Sequence, residues 1–184
     1  MKFRFNVNVS EQDYLDYNKF WMLRSPYGKK QMITLRVLVN VVFAVFIFIS
    51  CFGFAEGFAT DILISIILLL ILLLLFNVFL NKMFSFSLKG QLIALKKKGK
   101  MAYSPSSVIE FYDDSFVETT ADNKLEHKYS AIERVSVVDN KMIYIHVNNV
   151  MAFMLPIASF ESMMQYDSFL EFIKGKCNSI DFYS

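Results

Sequence analysis

Hydrophobic residues follow different patterns along the chain, and each pattern predicts a different kind of element. Two apolar runs, residues 37–54 and 62–80, contain no charged residue and are separated by a short break. As a helix the second run would measure roughly 28 Å, close to the thickness of the hydrocarbon core of a bilayer. Residues 32–80 are therefore predicted to form a two-span transmembrane hairpin.

The first residues of the chain alternate between apolar and polar side chains over residues 1–9. Such alternation is typical of a half-buried strand, and a lone strand needs partners from elsewhere in the chain. We treat residues 1–31 as one segment that contains this strand and a following amphipathic helix. Whether the strand joins a sheet built by the rest of the chain stays open at this point.

The helix that follows the strand is predicted to begin after Ser10, an amino-terminal capping residue, and to run to about Arg24. It is rich in aromatic residues, and Trp21 is the tryptophan of the chain. This helix either packs on a soluble domain or lies at the membrane interface. The second interpretation rests on the preference of Trp and Tyr for the headgroup region of a membrane. Residues 25–28 are predicted to form a turn into the first span.

Residues 81–100 combine apolar residues at helical spacing with a cluster of lysines at the end. This combination predicts a basic juxtamembrane helix that leaves the membrane or lies on its surface.

From residue 101 the pattern changes to short extended runs separated by polar turns such as residues 113–114 and 139–140. Turns at this spacing predict an antiparallel meander of about six strands. After Pro156, a helix is predicted to be capped by Ser159 and to end near Lys174. The fold class is membrane α+β: a transmembrane hairpin plus an antiparallel meander closed by a helix, residues 101–177, and then a tail, residues 178–184.

The basic residues are placed asymmetrically, although the net charge is only +2. They flank the two apolar runs, whereas the break between the runs carries the acidic residues Glu56 and Asp61. Basic residues near the ends of spans stay on the cytoplasmic side. We therefore expect a multi-pass protein of a bacterial inner membrane with both termini in the cytoplasm.

Two small sets of residues are candidates for contact with the membrane. We expect contact with anionic lipid headgroups, or a role only in fixing the topology, for Trp21, Lys29, Lys30, Arg36, Lys96, Lys97, Lys98 and Lys100. Asn40 and Asn77 are polar residues inside the spans and are predicted to hydrogen-bond across the hairpin or to a second copy of the chain.

The sequence offers no catalytic, cofactor-binding or metal-binding constellation. His127 and His146 lie in predicted strands without a Cys or carboxylate at zinc spacing, and we expect them to be structural. Cys51 and Cys177 would be separated by the bilayer and could not form a disulfide. Acidic residues throughout the soluble part argue against a nucleic-acid partner.

The order of these parts resembles that of the YcxB-like family of small bacterial membrane proteins. The likeness is carried by the strand, by residues 10–14 opening a helix, by the hairpin and by the pieces Tyr129-Ser-Ala-Ile132 and Leu155-Pro-Ile157. In the family the first piece typically begins with Trp, so Tyr129 is a mild departure. The resemblance implies a carboxy-terminal domain similar to bacterial pleckstrin-homology-like domains. It implies no established activity and no functional residues.

These patterns lead to two hypotheses about function. The first is a non-enzymatic binding or regulatory module that presents its soluble domain at the inner face of a bacterial membrane. Its partner would be a lipid, a membrane protein or a cytoplasmic protein. By analogy with other bacterial proteins, the module would act in envelope homeostasis or in tolerance to membrane-active peptides. The second is an accessory subunit of a membrane transport or enzyme complex, with Asn40 and Asn77 facing partner helices. Homo-oligomers are compatible with both.

Overall fold

A computed structural model describes residues 1–53, 59–148, 151–177 and 179–184. These residues form two compact units, of which one comprises Met1–Tyr14 and Ala102–Ser184 and the other Leu15–Met101. We call them the sheet unit and the helical unit. Glu56 in the break between the apolar runs and Asn149 in the last predicted turn lie outside the described residues.

The helical unit is dominated by two long helices, α2 (Pro26–Gly53) and α3 (Ala59–Lys97), which follow α1 (Glu11–Leu23). α2 and α3, which contain the two apolar runs, contact each other. The basic segment after residue 80 continues α3 without a break, and Gly90 lies inside the helix. The two long apolar helices predicted from the sequence are thus confirmed.

The junction between α1 and α2 is tighter than the turn predicted over residues 25–28. Pro26 is already the first residue of α2, a position where its missing amide hydrogen costs nothing. Ser25 caps this helix, because its Oγ accepts a hydrogen bond from the Gly28 amide at 3.1 Å and donates one to the Trp21 carbonyl. A Cβ at Gly28 would collide with that same carbonyl oxygen, so the close approach requires glycine.

The sheet unit contains two four-stranded sheets. The first is antiparallel, and its strands in spatial order are β1 (Phe3–Asn8), β2 (Ser106–Phe111), β3 (Ser115–Thr119) and β4 (Lys124–Lys128). The amino-terminal strand pairs with β2 in a register that places Phe5 opposite Ile109. This pairing answers the question left open by the sequence, since β1 completes a sheet built almost 100 residues later.

The second sheet is formed by β5 (Arg134–Val138), β6 (Met142–His146), β7 (Ala152–Pro156) and β8 (Ile180–Tyr183). Its spatial order is β7-β6-β5-β8, and β8 pairs with β5 in parallel. The segment described from the sequence as a tail, residues 178–184, therefore contains a strand. Its pattern was too short to be recognised, because a four-residue edge strand gains its stability from a neighbour that the sequence alone does not identify.

The turn between β5 and β6 is made by Asp139 and Asn140, as predicted. Both residues have positive φ angles, 52° and 49°. Two successive positive φ angles are typical of the type I′ turn of a hairpin, and Asp and Asn adopt this conformation more readily than other non-glycine residues.

The helix α4 (Met163–Lys174) follows β7 and precedes β8. Its capping residue is Ser162, whose Oγ accepts a hydrogen bond from the Gln165 amide at 3.2 Å. The prediction that Ser159 caps this helix is wrong, because Ile157–Ser159 form a 3₁₀ turn directly after Pro156. The chain then needs three more residues before the helix begins.

One hydrophobic core unites the sheets and α4. Its buried apolar side chains come from β1, from all strands between β2 and β7 except β4, and from α4, and among the largest are Phe5, Phe111, Phe116, Phe169, Ile143 and Leu155. The two apolar helices and the sheet-rich unit with its carboxy-terminal helix confirm the predicted membrane α+β fold class. The likeness to pleckstrin-homology-like domains stays a prediction.

Candidate functional site

A ladder of polar contacts joins α2 to α3. The Nδ2 of Asn77 donates a hydrogen bond to the Oδ1 of Asn40 at 3.0 Å and lies 2.9 Å from the carbonyl oxygen of Leu73. Four residues away on each helix, Arg36 Nη2 donates to Asn81 Oδ1 at 3.2 Å. Steps of four residues in opposite directions are what two antiparallel helices in contact require.

The ladder brings together the two asparagines singled out in the sequence. It also adds Asn81, which sequence reasoning missed, as the partner of Arg36. The signal that could have found it is the spacing: Asn81 follows Asn77 by four residues just as Arg36 precedes Asn40 by four. An intramembrane role for these contacts stays a prediction.

The remaining candidates for membrane contact lie at the ends of the long helices. Trp21 in α1 packs against Tyr27, with ring centroids 5.6 Å apart. Lys29 and Lys30 are exposed in the first turn of α2. At the other end, the exposed residues in and after the last turn of α3 are Lys96, Lys97, Lys98 and Lys100. Their contact with lipid headgroups stays a prediction.

A second feature of the helical unit is a groove between the end of α1 and α3, with a volume of about 410 Å³. We call it the basic groove, and its lining residues are Leu23, Asn81, Lys82, Ser85, Phe86 and Lys89. Lys82 and Lys89 were not among the candidates chosen from the sequence, since lysines spaced along a helix look like an ordinary solvated face. The end of α1 closes the groove through a tertiary contact, which the sequence pattern of α3 does not show.

In the sheet unit a groove runs between α4 and β8 and has a volume of about 660 Å³. We call it the α4–β8 groove, and its lining residues are Asp167, Leu170, Glu171, Lys174, Cys177, Ser179, Ile180 and Phe182. β8 is the outer strand of its sheet, and its residues Ile180 and Phe182 line the groove. Phe182 is 68% exposed there. This arrangement can accept an extended peptide or another apolar surface.

Cys177 lines this groove and has a free thiol. Burial raises the pKa of its sulfur group, although a contact with the Ser179 carbonyl opposes the shift. The thiolate is the reactive form of cysteine, so a raised pKa lowers its reactivity at neutral pH.

Both histidines lie in strands, as predicted. His127 in β4 packs against Phe116 and Phe153, with ring centroids 5.5 Å and 5.1 Å away. His146 in β6 is fully buried, and burial together with the nearby Arg134 lowers its pKa to about 4. Among the described residues, no group of three or more His, Cys, Asp or Glu side chains could hold a metal ion.

Comparison with known families bears on the sheet unit. The model of the family described as YcxB-like protein matches residues 111–173. We call this range, which is similar to the family, the YcxB-like domain. The match confirms the resemblance for the part of the chain that runs from the end of β2 through most of α4.

The YcxB-like domain thus supplies the α4 side of the α4–β8 groove, while β1 and β8 lie outside the matched range. Comparison with curated proteins and with solved structures found no match.

The chain also has two helices that are long and apolar enough to cross a membrane, within Pro26–Ser50 and Leu63–Lys97. Only 6% of each apolar stretch is buried in the structure, so these helices are not the core helices of a soluble unit of this chain. Large exposed side chains such as Leu38, Phe48 and Leu74 surround them. An apolar surface of this size needs an apolar environment.

Proposed function

We propose that the protein is a membrane-anchored, non-enzymatic binding module of a bacterial inner membrane. The observation that carries this proposal is the contrast between the two units. α2 and α3 expose apolar side chains along almost their whole length, whereas the sheet unit has its own core and an open groove beside an edge strand. A membrane would cover the first surface and leave the second free for a partner.

The charge distribution supports an orientation with both termini in the cytoplasm. Basic residues lie in α2 before the first apolar run and in α3 after the second apolar run, which ends at residue 80. Lys29 and Lys30 oppose the dipole of α2, so helix stability does not account for them. The attraction of cations to the cytoplasmic side does.

Anchoring explains how a shallow groove could serve as a binding site. A module held at the membrane meets other membrane-bound partners at a high effective concentration, and weak contacts then suffice. The free edge of β8 suits the addition of a strand from such a partner. We propose that this role is regulatory, in envelope homeostasis or in tolerance to membrane-active peptides, and that the domain is pleckstrin-homology-like.

The two groups best suited to catalysis favour the non-enzymatic form of the proposal. His146 is buried with a pKa lowered to about 4, and the Cys177 thiol has a raised pKa. Neither group is prepared to exchange a proton or attack a substrate near neutral pH.

A reporter fused after Ser184 tests the anchoring. We expect the reporter to be active only when it is a cytoplasmic enzyme, and activity of an extracellular reporter would contradict the proposed orientation.

A photo-cross-linking residue in place of Phe182 tests the binding groove in native membranes. We expect a defined protein product from this position. The matched control places the same residue at Met164, which is 80% exposed on the first turn of α4 but does not line the groove. Equal products from both positions would argue against a binding site in the α4–β8 groove.

Size measurement in mild detergent separates this proposal from an accessory subunit of a larger complex. The module should purify alone as a monomer or small homo-oligomer, whereas a subunit should bring other membrane proteins with it. The hydrogen bond between Asn77 and Asn40 favours the binding module over the accessory subunit. The two asparagine side chains bond to each other within the hairpin, whereas in a subunit they would face partner helices.

A further inference from the structure

The basic groove combines positive charge with apolar surface on one face of α3. Lys82, Ser85 and Lys89 follow one another at steps of three and four residues, so they share that face. Phe86 lies beside them and is 81% exposed. Leu23, the last residue of α1, closes the groove on the other side.

The two lysines are available to an anion. They lie two helical turns apart, about 10 Å along the axis, and their long side chains can converge on a group between them. Neither lysine takes part in the ion pairs that Lys2, Arg4 and Lys19 form. Lys82 Nζ lies 5.5 Å from the ring centroid of Phe79, on the side away from Lys89, and this contact would be exchanged for one with an anion in the groove.

Polar groups surround the space between the lysines. Asn81 contributes an amide whose oxygen is already bonded to Arg36, so its NH₂ group is the part that can donate to an anion. Arg36 adds a third positive charge next to the groove. Ser85 Oγ donates its one hydrogen to the carbonyl oxygen of Asn81 at 3.1 Å, so it could donate to an anion only in exchange for that bond.

The groove lies just beyond the end of the second apolar run, where the headgroup of a lipid would be. Its first residue, Asn81, lies one turn beyond Asn77 and directly after the second apolar run. The aromatic pair Trp21 and Tyr27 lies in the same unit at the start of the first apolar helix, and such aromatic residues mark membrane interfaces.

We propose that the basic groove binds one anionic phospholipid. Its phosphate lies between Lys82 and Lys89 with a hydrogen bond from the Asn81 amide, and the adjoining acyl chains lie along Phe86 and Leu23. The apolar part of the lining, Leu23 and Phe86, favours a lipid over a free phosphate, because a phosphate ion has no apolar surface to bury there. This inference rests on the proposed insertion of the hairpin in a membrane.

Native mass spectrometry of the full chain in detergent tests the groove, with phosphatidylglycerol as the probe. The variant K82Q/K89Q should bind phosphatidylglycerol about tenfold more weakly than the unaltered chain, because each lysine near an anionic headgroup contributes to the attraction. The matched control K124Q/K128Q removes the same charge from two exposed positions of β4, outside the groove, and should change binding less than about twofold. Equal losses in the two variants, or no loss in either, would overturn a specific site.

Two further measurements separate a lipid from a free anion. The variant F86S removes apolar surface at an exposed position and should weaken phosphatidylglycerol binding without affecting the folded state. An excess of inorganic phosphate should not displace the lipid. Displacement by phosphate together with an unchanged F86S variant would show an anion site and overturn the lipid assignment.

The outcome is distinguishable from that of the proposed function. Binding in detergent reports on the groove itself, whereas the reporter fused after Ser184 reports on orientation in the membrane. A misplaced reporter with lipid binding intact would overturn the proposed function alone.

Discussion

The ring of Phe169 meets the ring of Phe5 edge to face, with centroids 5.4 Å apart and an interplanar angle of 83°. The contact joins the amino-terminal strand to the carboxy-terminal helix, with the whole helical unit between them in sequence. Phe169 also packs edge to face against Phe111 at 4.9 Å. The sheet unit therefore closes its core only when both ends of the chain are present.

Truncation of the Phe169 side chain should destabilise the protein. We expect F169A to lower the free energy of unfolding by about 3–5 kcal/mol, because Phe169 is fully buried and its loss leaves a cavity between α4 and the sheet formed by β1 and β2. Urea unfolding of the full chain in detergent, followed by near-ultraviolet circular dichroism, measures the change. M164A on the same helix is the control and should change stability by less than about 0.5 kcal/mol, since Met164 is 80% exposed. Similar losses in the two variants would contradict the core described here.

The two serines before α4 provide a matched test of the cap. We expect S162A to destabilise the protein by about 1 kcal/mol, because it removes the oxygen that accepts the Gln165 amide hydrogen bond. S159A should be nearly neutral, since Ser159 ends a 3₁₀ turn without a side-chain cap. The same unfolding measurement compares them, and a larger effect at Ser159 would restore the capping position predicted from the sequence.

Stability should fall in acid because of His146. Its pKa is lowered to about 4 in the folded state from an ordinary value of 6.5. Above pH 6.5 the ring is neutral in both states and contributes no pH dependence. Between pH 6.5 and 4 the unfolded chain binds a proton that the folded chain does not, so the free energy of unfolding decreases by up to about 3 kcal/mol.

Unfolding curves of the full chain between pH 7.5 and pH 4 check this prediction. H146L carries no titrating ring at this position and should show a flatter dependence on pH, whatever its absolute stability. An unchanged slope in H146L would assign the acid sensitivity to other groups.

The hydrogen bond between Asn40 and Asn77 should contribute modestly to the hairpin. A double-mutant cycle with N40A and N77A is expected to give a coupling energy of about 0.6 kcal/mol, the usual size of polar contacts between membrane helices. Steric trapping or denaturant unfolding of the full chain in a bilayer mimic measures the coupling. The exposed Ser50, whose hydroxyl bonds to the Phe46 carbonyl within its own helix, is the control partner for N77A and should show no coupling. Additive effects of N40A and N77A would argue that the bond does not form in the membrane.

Local patterns in the sequence were sufficient where a long or strictly periodic pattern identifies the element. The two apolar helices, the strand at the amino terminus and the turn at Asp139 and Asn140 follow from the period of hydrophobicity and from backbone preferences. The family resemblance was also recognisable, and the YcxB-like match confirms it over residues 111–173.

The sequence by itself determined the kind of elements, their order and the placement of charge around the apolar runs. Tertiary structure decided which strands pair, that β8 exists, that Ser162 and not Ser159 caps α4, and that Asn81 completes the ladder with Arg36. It also decided that Leu23 closes a groove over Lys82 and Lys89. The physical reason is that these features depend on contacts between residues far apart in the chain, whereas periodicity and capping preferences report only on neighbours within a few residues.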